Sequence, residues 1–193
     1  MTDRGRLTRR SVLVAGAGAF GALAGCSSTG SGGGGGGGAS RNTSGIAVRA
    51  KPTGDALSEL DSLTVHVSSV GIDPRGQSAG RLAAGNTVDV LSNGGDPVEF
   101  FVLGFPAHRC TRLSLYGHGG TATKRDGSHA SASFANGSAL QYDQDYRLRT
   151  SETTVFTAGI SVTATGSGGY SLAADPSATS VSMHSGRPSS TER

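Results

Sequence analysis

The side chains best equipped for chemistry are one thiol, five imidazoles and one thioether: Cys110, His66, His108, His118, His129, His184 and Met183. An electron-transfer copper site takes two His, one Cys and a weak axial Met. Cys110 with its nearby histidines is the set that offers those atoms, and a metal- or redox-linked protein is the alternative it supports. The spacing argues against it. Such sites gather Cys, the second His and Met on one loop, whereas His118 follows Cys110 by eight residues and Met183 lies far beyond. His108 and Cys110 share a face if their segment is a strand, but a thiol in an apolar run is by default a small buried hydrophobe. A second cluster is Tyr142-Asp143-Gln144-Asp145-Tyr146. Its two carboxylates and two rings suit either a Ca²⁺ loop or a carbohydrate site. Calcium takes about six to eight oxygens, though, and Asp-Gln-Asp is also ordinary turn chemistry. Serine is abundant, yet no Gly-x-Ser-x-Gly elbow stands in a strand–turn–helix context, so neither an enzyme activity nor a cofactor is expected.

The remaining reactive residue is Cys26. Arg4, Arg6, Arg9 and Arg10 precede an apolar run from Val12 to Leu23. Arg9-Arg10-Ser11-Val12-Leu13 resembles a twin-arginine export motif, with Val12 in place of the usual aromatic. Twelve residues fall short of the roughly 20 that cross a bilayer, so residues 1–25 read as a signal peptide and not as an anchor helix. Leu23-Ala24-Gly25-Cys26 resembles a lipobox at all four positions. That resemblance implies a diacylglyceryl group on the Cys26 sulfur, with Cys26 as the mature N-terminus; two acyl chains hold stably where one does not. The expected partner is therefore the membrane, through the lipid, and the expected location is the outer face of the cell membrane. With Cys26 consumed, Cys110 has no disulfide partner. A twin-arginine route carries folded cargo, so the domain is expected to fold in the reducing cytoplasm before export.

These residues need a scaffold, and composition bounds it. The formal charge of +3 comes from 17 basic and 14 acidic side chains. Residues 1–25 hold four of the former and only Asp3 of the latter, so thirteen of each remain in the mature chain. A neutral domain offers no case for a nucleic-acid partner. Aromatics are 5% and glycines number 32, a balance of short strands and turns more than of helices. Residues 26–45, with seven consecutive glycines from Gly32 to Gly38, cannot form a core and read as a flexible lipid-anchored linker.

From Ile46 onward, alternating runs are cut by turn signals. Strands are expected at Ile46–Val48, Leu63–Ser68, Thr87–Leu91, Val98–Phe105, Arg109–Tyr116, His129–Ala135, Ala139–Tyr142, Tyr146–Leu148, Thr153–Thr165, Tyr170–Leu172 and Ser180–Met183. Val70 and Ile72 take the opposite parity to Leu63-Val65-Val67, the mark of a bulge. Val98–Phe105, more continuously apolar, suits a central strand or one beneath a loop. Gly117–Gly120 is read as a break, Asn136-Gly137 as a hairpin turn, and Asp143–Asp145 as a turn. Asn42-Thr43-Ser44 and Asn136-Gly137-Ser138 fit the glycosylation sequon. Residues 186–193 are a polar tail.

Four pieces in order carry a family resemblance: Ala56–Val70, Thr87–Leu91, Phe105-Pro106-Ala107 with Arg112–Leu115, and Gly168–Leu172. Together they resemble the DUF4382 domain, over roughly residues 45 to 185. His108-Arg109-Cys110 stands where that family tends to carry Gly-x-Tyr. The resemblance implies an exported, often lipid-anchored domain of unknown function. The expected architecture is all-β, an antiparallel β-sandwich of immunoglobulin or prealbumin type over residues 46–185. The expected role is a binding or structural module of the cell envelope, meeting an envelope glycan or protein.

Overall fold

The computed structural model describes residues 43–76 and 78–185. Arg9, Arg10, the Leu23–Cys26 lipobox, Asn42 and the 186–193 tail lie outside the described residues. The described chain consists of β1 (Thr43–Thr53), β2 (Leu60–Pro74), β3 (Gly80–Asp89), β4 (Val98–Pro106), β5 (Arg109–Lys124), β6 (His129–Phe134), β7 (Ala139–Arg147), β8 (Glu152–Ala164), β9 (Tyr170–Ala174) and β10 (Ser180–Ser185). Two short 3₁₀ turns, Asp55–Glu59 and Pro176–Ala178, complete it. No helix among the described residues is long and apolar enough to cross a membrane.

The all-β expectation holds, and the wholly antiparallel one does not. The strands form one mixed sheet in the order β3-β2-β5-β6-β9-β8-β1-β4. β1 lies parallel to β8, with Ile46 opposite Thr154 and Ala50 opposite Ala158, and β6 lies parallel to β9. Alternation such as Leu63-Thr64-Val65-His66-Val67 dictates which face is buried but says nothing about the direction of the neighbour. The sheet curls until its ends nearly meet. β3 and β4 come together without a ladder, the Asn86 amide donates to the Phe100 carbonyl at 2.6 Å, and the Phe105 ring lies against Gly80. Val98–Phe105 is thus the last strand of the sheet path and not a central one. A register shift opposite Val48–Arg49 lets Phe100 and Phe101 both be buried, stacked 5.7 Å apart. The bulge expected in β2 appears as a register shift between Val67 and Ser69.

Two long strands organise the interior, each followed by a return in two pieces. β5 pairs with β6 through Gly120–Thr123 and with β7 through Arg109–Tyr116. β8 pairs with β9 through Ile160–Ala164 and with β10 through Glu152–Thr157. The Asn136-Gly137 signal marks a turn, but that turn is a detour between β6 and β7, joined by a single Phe134–Gly137 bridge, and not a hairpin. β5 likewise runs unbroken through Gly117–Gly120. A Cβ would collide with the His66 carbonyl oxygen at Gly117 and with that of Thr64 at Gly120. The absent side chains let β5 press onto β2 while it changes partners from β7 to β6.

At one end, β6 and β9 join the two arms. At the other, β7 and β10 are each paired on one edge only among the described residues, so the sheet forks. Rings fill the space between the branches. Tyr142 and Tyr146 of β7 meet Phe156 of β8 edge-on, at 5.8 and 5.4 Å between centroids. Phe156, Ile46, Leu63, Ile72, Leu113, Leu115, Ile160 and Leu172 are fully buried in the same core.

Candidate functional site

The Tyr142–Tyr146 cluster sits at this fork, in strand and not in the expected turn. Asp143 faces Arg112 in the β5–β7 ladder and Tyr146 faces Cys110, so Gln144 and Asp145 together oppose Thr111. This bulge has two consequences. Tyr142 and Tyr146 both turn inward, and Asp143, Gln144 and Asp145 are all left exposed.

Both rings are buried, with their hydroxyls engaged inside the domain. The Tyr142 hydroxyl donates to the Gly159 carbonyl at 3.0 Å, and the Tyr146 hydroxyl donates to the Arg112 carbonyl at 3.4 Å. Burial pushes both phenols up, with the Asp175 charge adding to the effect on Tyr142 and Cys110 to that on Tyr146. The carboxylates are engaged by cations of the chain itself. Asp143 accepts from Arg112 at 2.5 Å and Asp145 from Arg109 at 2.9 Å, while Asp73 stands 3.8 Å from the Arg112 guanidinium. The hydrogen bond and charge of Asp143 hold Arg112 above its ordinary value.

Cys110 is wholly buried. Burial pushes its thiol up to about 11; a hydrogen bond with Tyr146 works against that shift and the Asp73 charge adds to it. Its sulfur lies 4.0 Å from the His108 carbonyl oxygen. The five histidines are scattered. His66 bonds Thr87 at 2.7 Å, His129 lies 3.3 Å from the Thr123 hydroxyl, and His184 is 3.4 Å from the Ser182 hydroxyl on β10. His118 stands in the glycine stretch of β5, and His108 is in the β4–β5 turn. Among the described residues no three His, Cys, Asp or Glu side chains gather as a metal would require. Asn136 is exposed in its turn.

What the fork does form is a cleft of about 130 Å³, lined by Gln141, Tyr142, Asp143, Gln144, Pro176 and Thr179. β7 makes one wall and the Pro176–Ala178 turn makes the other. Asp175 fixes that second wall. Its carboxylate accepts from the Ser177 amide at 2.9 Å, the Ser177 hydroxyl at 2.6 Å and the Thr53 hydroxyl at 2.7 Å. These bonds to the charged form, from Ser177 first and then Thr53, hold the carboxyl below its ordinary value. Thr179 bonds the Asp175 carbonyl at 2.7 Å and receives the Gly159 amide at 3.2 Å. Gly159 makes the seat possible, because a Cβ there would collide with the Asp175 carbonyl oxygen.

Tyr142 and Asp143 thus belong to the cleft, whereas Asp145 and Tyr146 lie outside its lining. Gln144 lies within the cluster singled out from the sequence, whereas Gln141, Pro176 and Thr179 carried no functional signal there. The one local signal was Asp175-Pro176-Ser177, an acidic cap followed by proline at the first helical position. The lining combines two amides, the Thr179 hydroxyl, the Tyr142 phenol, an ion-paired carboxylate and a proline ring. It offers hydrogen bonds and apolar contact but no nucleophile with an adjacent base. No family model, no curated protein and no solved structure matches this chain.

Proposed function

We propose that the protein is an exported lipoprotein, held on the outer face of the cell membrane by a diacylglyceryl group on Cys26. Its DUF4382-like domain serves as a binding module that meets an envelope glycan or protein. The fork cleft carries the binding half of this reading: it is a concave site with convergent polar groups and no catalytic pair. The Arg9-Arg10 signal and the Leu23–Cys26 lipobox support the anchoring half. The curled sheet is also compatible with a sandwich-like domain, in which the β5 and β8 arms are the two layers and β6–β9 the corner joining them. The Tyr142–Phe156 and Tyr146–Phe156 contacts support that description.

Two experiments test the two halves separately. Cys26→Ser is expected to move the protein from the membrane fraction to the medium, and full retention of that variant overturns the anchor. A photo-crosslinking residue at Gln144, compared with one at Asn93 in a distant exposed turn, is expected to capture an envelope component from intact cells at position 144 only. Equal capture at both positions, or none at 144, overturns the cleft as the binding site.

A further inference from the structure

Free sheet edges invite pairing with another chain, and proteins blunt them with charges, prolines and bulges. Among the described residues four strands have an unpaired edge, and three of them follow that rule. β7 carries Asp143, Asp145, Arg147 and the Gln144–Asp145 bulge, all toward its exposed side. β3 and β4 turn their edges toward each other, bridged by the Asn86–Phe100 hydrogen bond, and β4 also bears Glu99 and Pro106. β10 does not follow it. Ser180-Val181-Ser182-Met183-His184-Ser185 has no Lys, Arg, Asp, Glu, Gly or Pro, and it pairs with β8 from Thr157 to Glu152 without a register shift. Every position but Val181 is exposed, and Met183, at 48%, is the more exposed of the two large hydrophobic side chains at the described surface.

We infer that β10 is a self-association edge whose occupant is the β10 of a second copy of this chain. The segment is complementary to itself. Antiparallel pairing about a two-fold axis at Ser182 sets Ser182 against its own copy, Val181 against Met183 and Ser180 against His184. The parity of the strand is kept, so the apolar residues meet on one face and the polar ones on the other. No like charges oppose each other, and residues 26–193, with thirteen basic and thirteen acidic side chains, have no net charge to drive two copies apart. A strand of six residues buries far less than the ~1,600 Å² of a standard stable interface. The association is therefore weak in solution and strengthened wherever copies are concentrated. This inference is independent of what occupies the fork cleft.

Opposed Cα atoms in an antiparallel pair lie about 4.5–5.5 Å apart, within disulfide reach. Ser182→Cys in the full-length protein, under mild oxidation, is expected to give a 182–182 disulfide dimer, identified by peptide mass. Its yield is expected to be about tenfold that from Asn93→Cys, where no such geometry is imposed. Adding Met183→Lys, which places a cation against Val181 of the other copy, is expected to lower the yield to the Asn93→Cys level. Retained protection of Cys110 from alkylation shows that each variant is folded. The inference is overturned by a 182–182 yield no greater than that of Asn93→Cys, by a yield indifferent to Met183→Lys, or by linkage of the thiol introduced at position 182 to a different protein.

Discussion

Cys110, the residue with the most reactive side chain in the domain, is held in a state that suppresses its reactivity. A thiol with a value pushed to about 11 is almost wholly protonated at neutral pH, and the thiolate is the species that attacks. Iodoacetamide at pH 8 is therefore expected to leave native Cys110 unmodified and to label it once denaturant is added. The same shift makes stability depend on alkaline pH. Below the ordinary thiol value of 9.0 both folded and unfolded chains keep the proton, and the contribution is fully present. Between pH 9 and 11 the unfolded chain releases its proton first, so about 2–3 kcal/mol is progressively lost. Denaturant titrations at pH 8 and pH 11 check this, and Cys110→Ala is expected to flatten that part of the profile. The acidic pair behaves differently. Asp143 and Asp145 are exposed partners of Arg112 and Arg109, and such pairs contribute at most about 1 kcal/mol each. Asp143→Asn with Asp145→Asn is accordingly expected to cost little by thermal unfolding, and calcium is expected to leave the melting temperature of the unmutated protein unchanged.

At the level of strands, glycine position decides what a substitution does. Gly120→Ala drives a methyl group into the Thr64 carbonyl, so β5 must leave β2; the expected loss is about 3 kcal/mol or more, read from the denaturation midpoint. Gly104 in β4 has open space where its Cβ would be, and Gly104→Ala is expected to be neutral or stabilising by up to about 1 kcal/mol. This contrast also shows where sequence reading stops. The parity of Leu63-Val65-Val67 and of Val70-Ile72 foretold the buried face of β2 and its bulge, because both follow from a period of two. Gly117–Gly120 read as a break because propensity treats glycine as weak in strands, whereas here it meets a backbone contact with residues some fifty positions away. Asp143–Asp145 read as a turn for the same kind of reason: the bulge that keeps those residues in β7 depends on the register with Arg112 and Cys110. The cleft was least legible of all, since its two walls come from segments that meet only when the sheet forks.

At the level of the whole molecule, Phe156 is where the two arms meet, touched by Tyr142 and Tyr146 from one side and set in β8 on the other. Phe156→Ala is expected to cost about 3–5 kcal/mol and to disorder the fork together with the core, so that ligand capture at Gln144 and thermal stability fall together. The fold also sets a kinetic expectation. Joining β1 to β8 closes a loop of about a hundred residues, and sheets built from such distant pairs fold in milliseconds to seconds, more slowly than helical domains of similar size.

The same parallel pair has a mechanical meaning. On the proposed anchoring, any pull between the membrane and a captured partner enters the domain at Thr43, the first residue of β1. That strand is bonded to β4 from Thr43 to Ala50 and to β8 from Gly45 to Thr53. A force along β1 therefore loads two ladders at once, in shear, and cannot peel one bond at a time as it would from an edge strand. The leash is fastened to a strand in the interior of the sheet, one of the hardest to draw out.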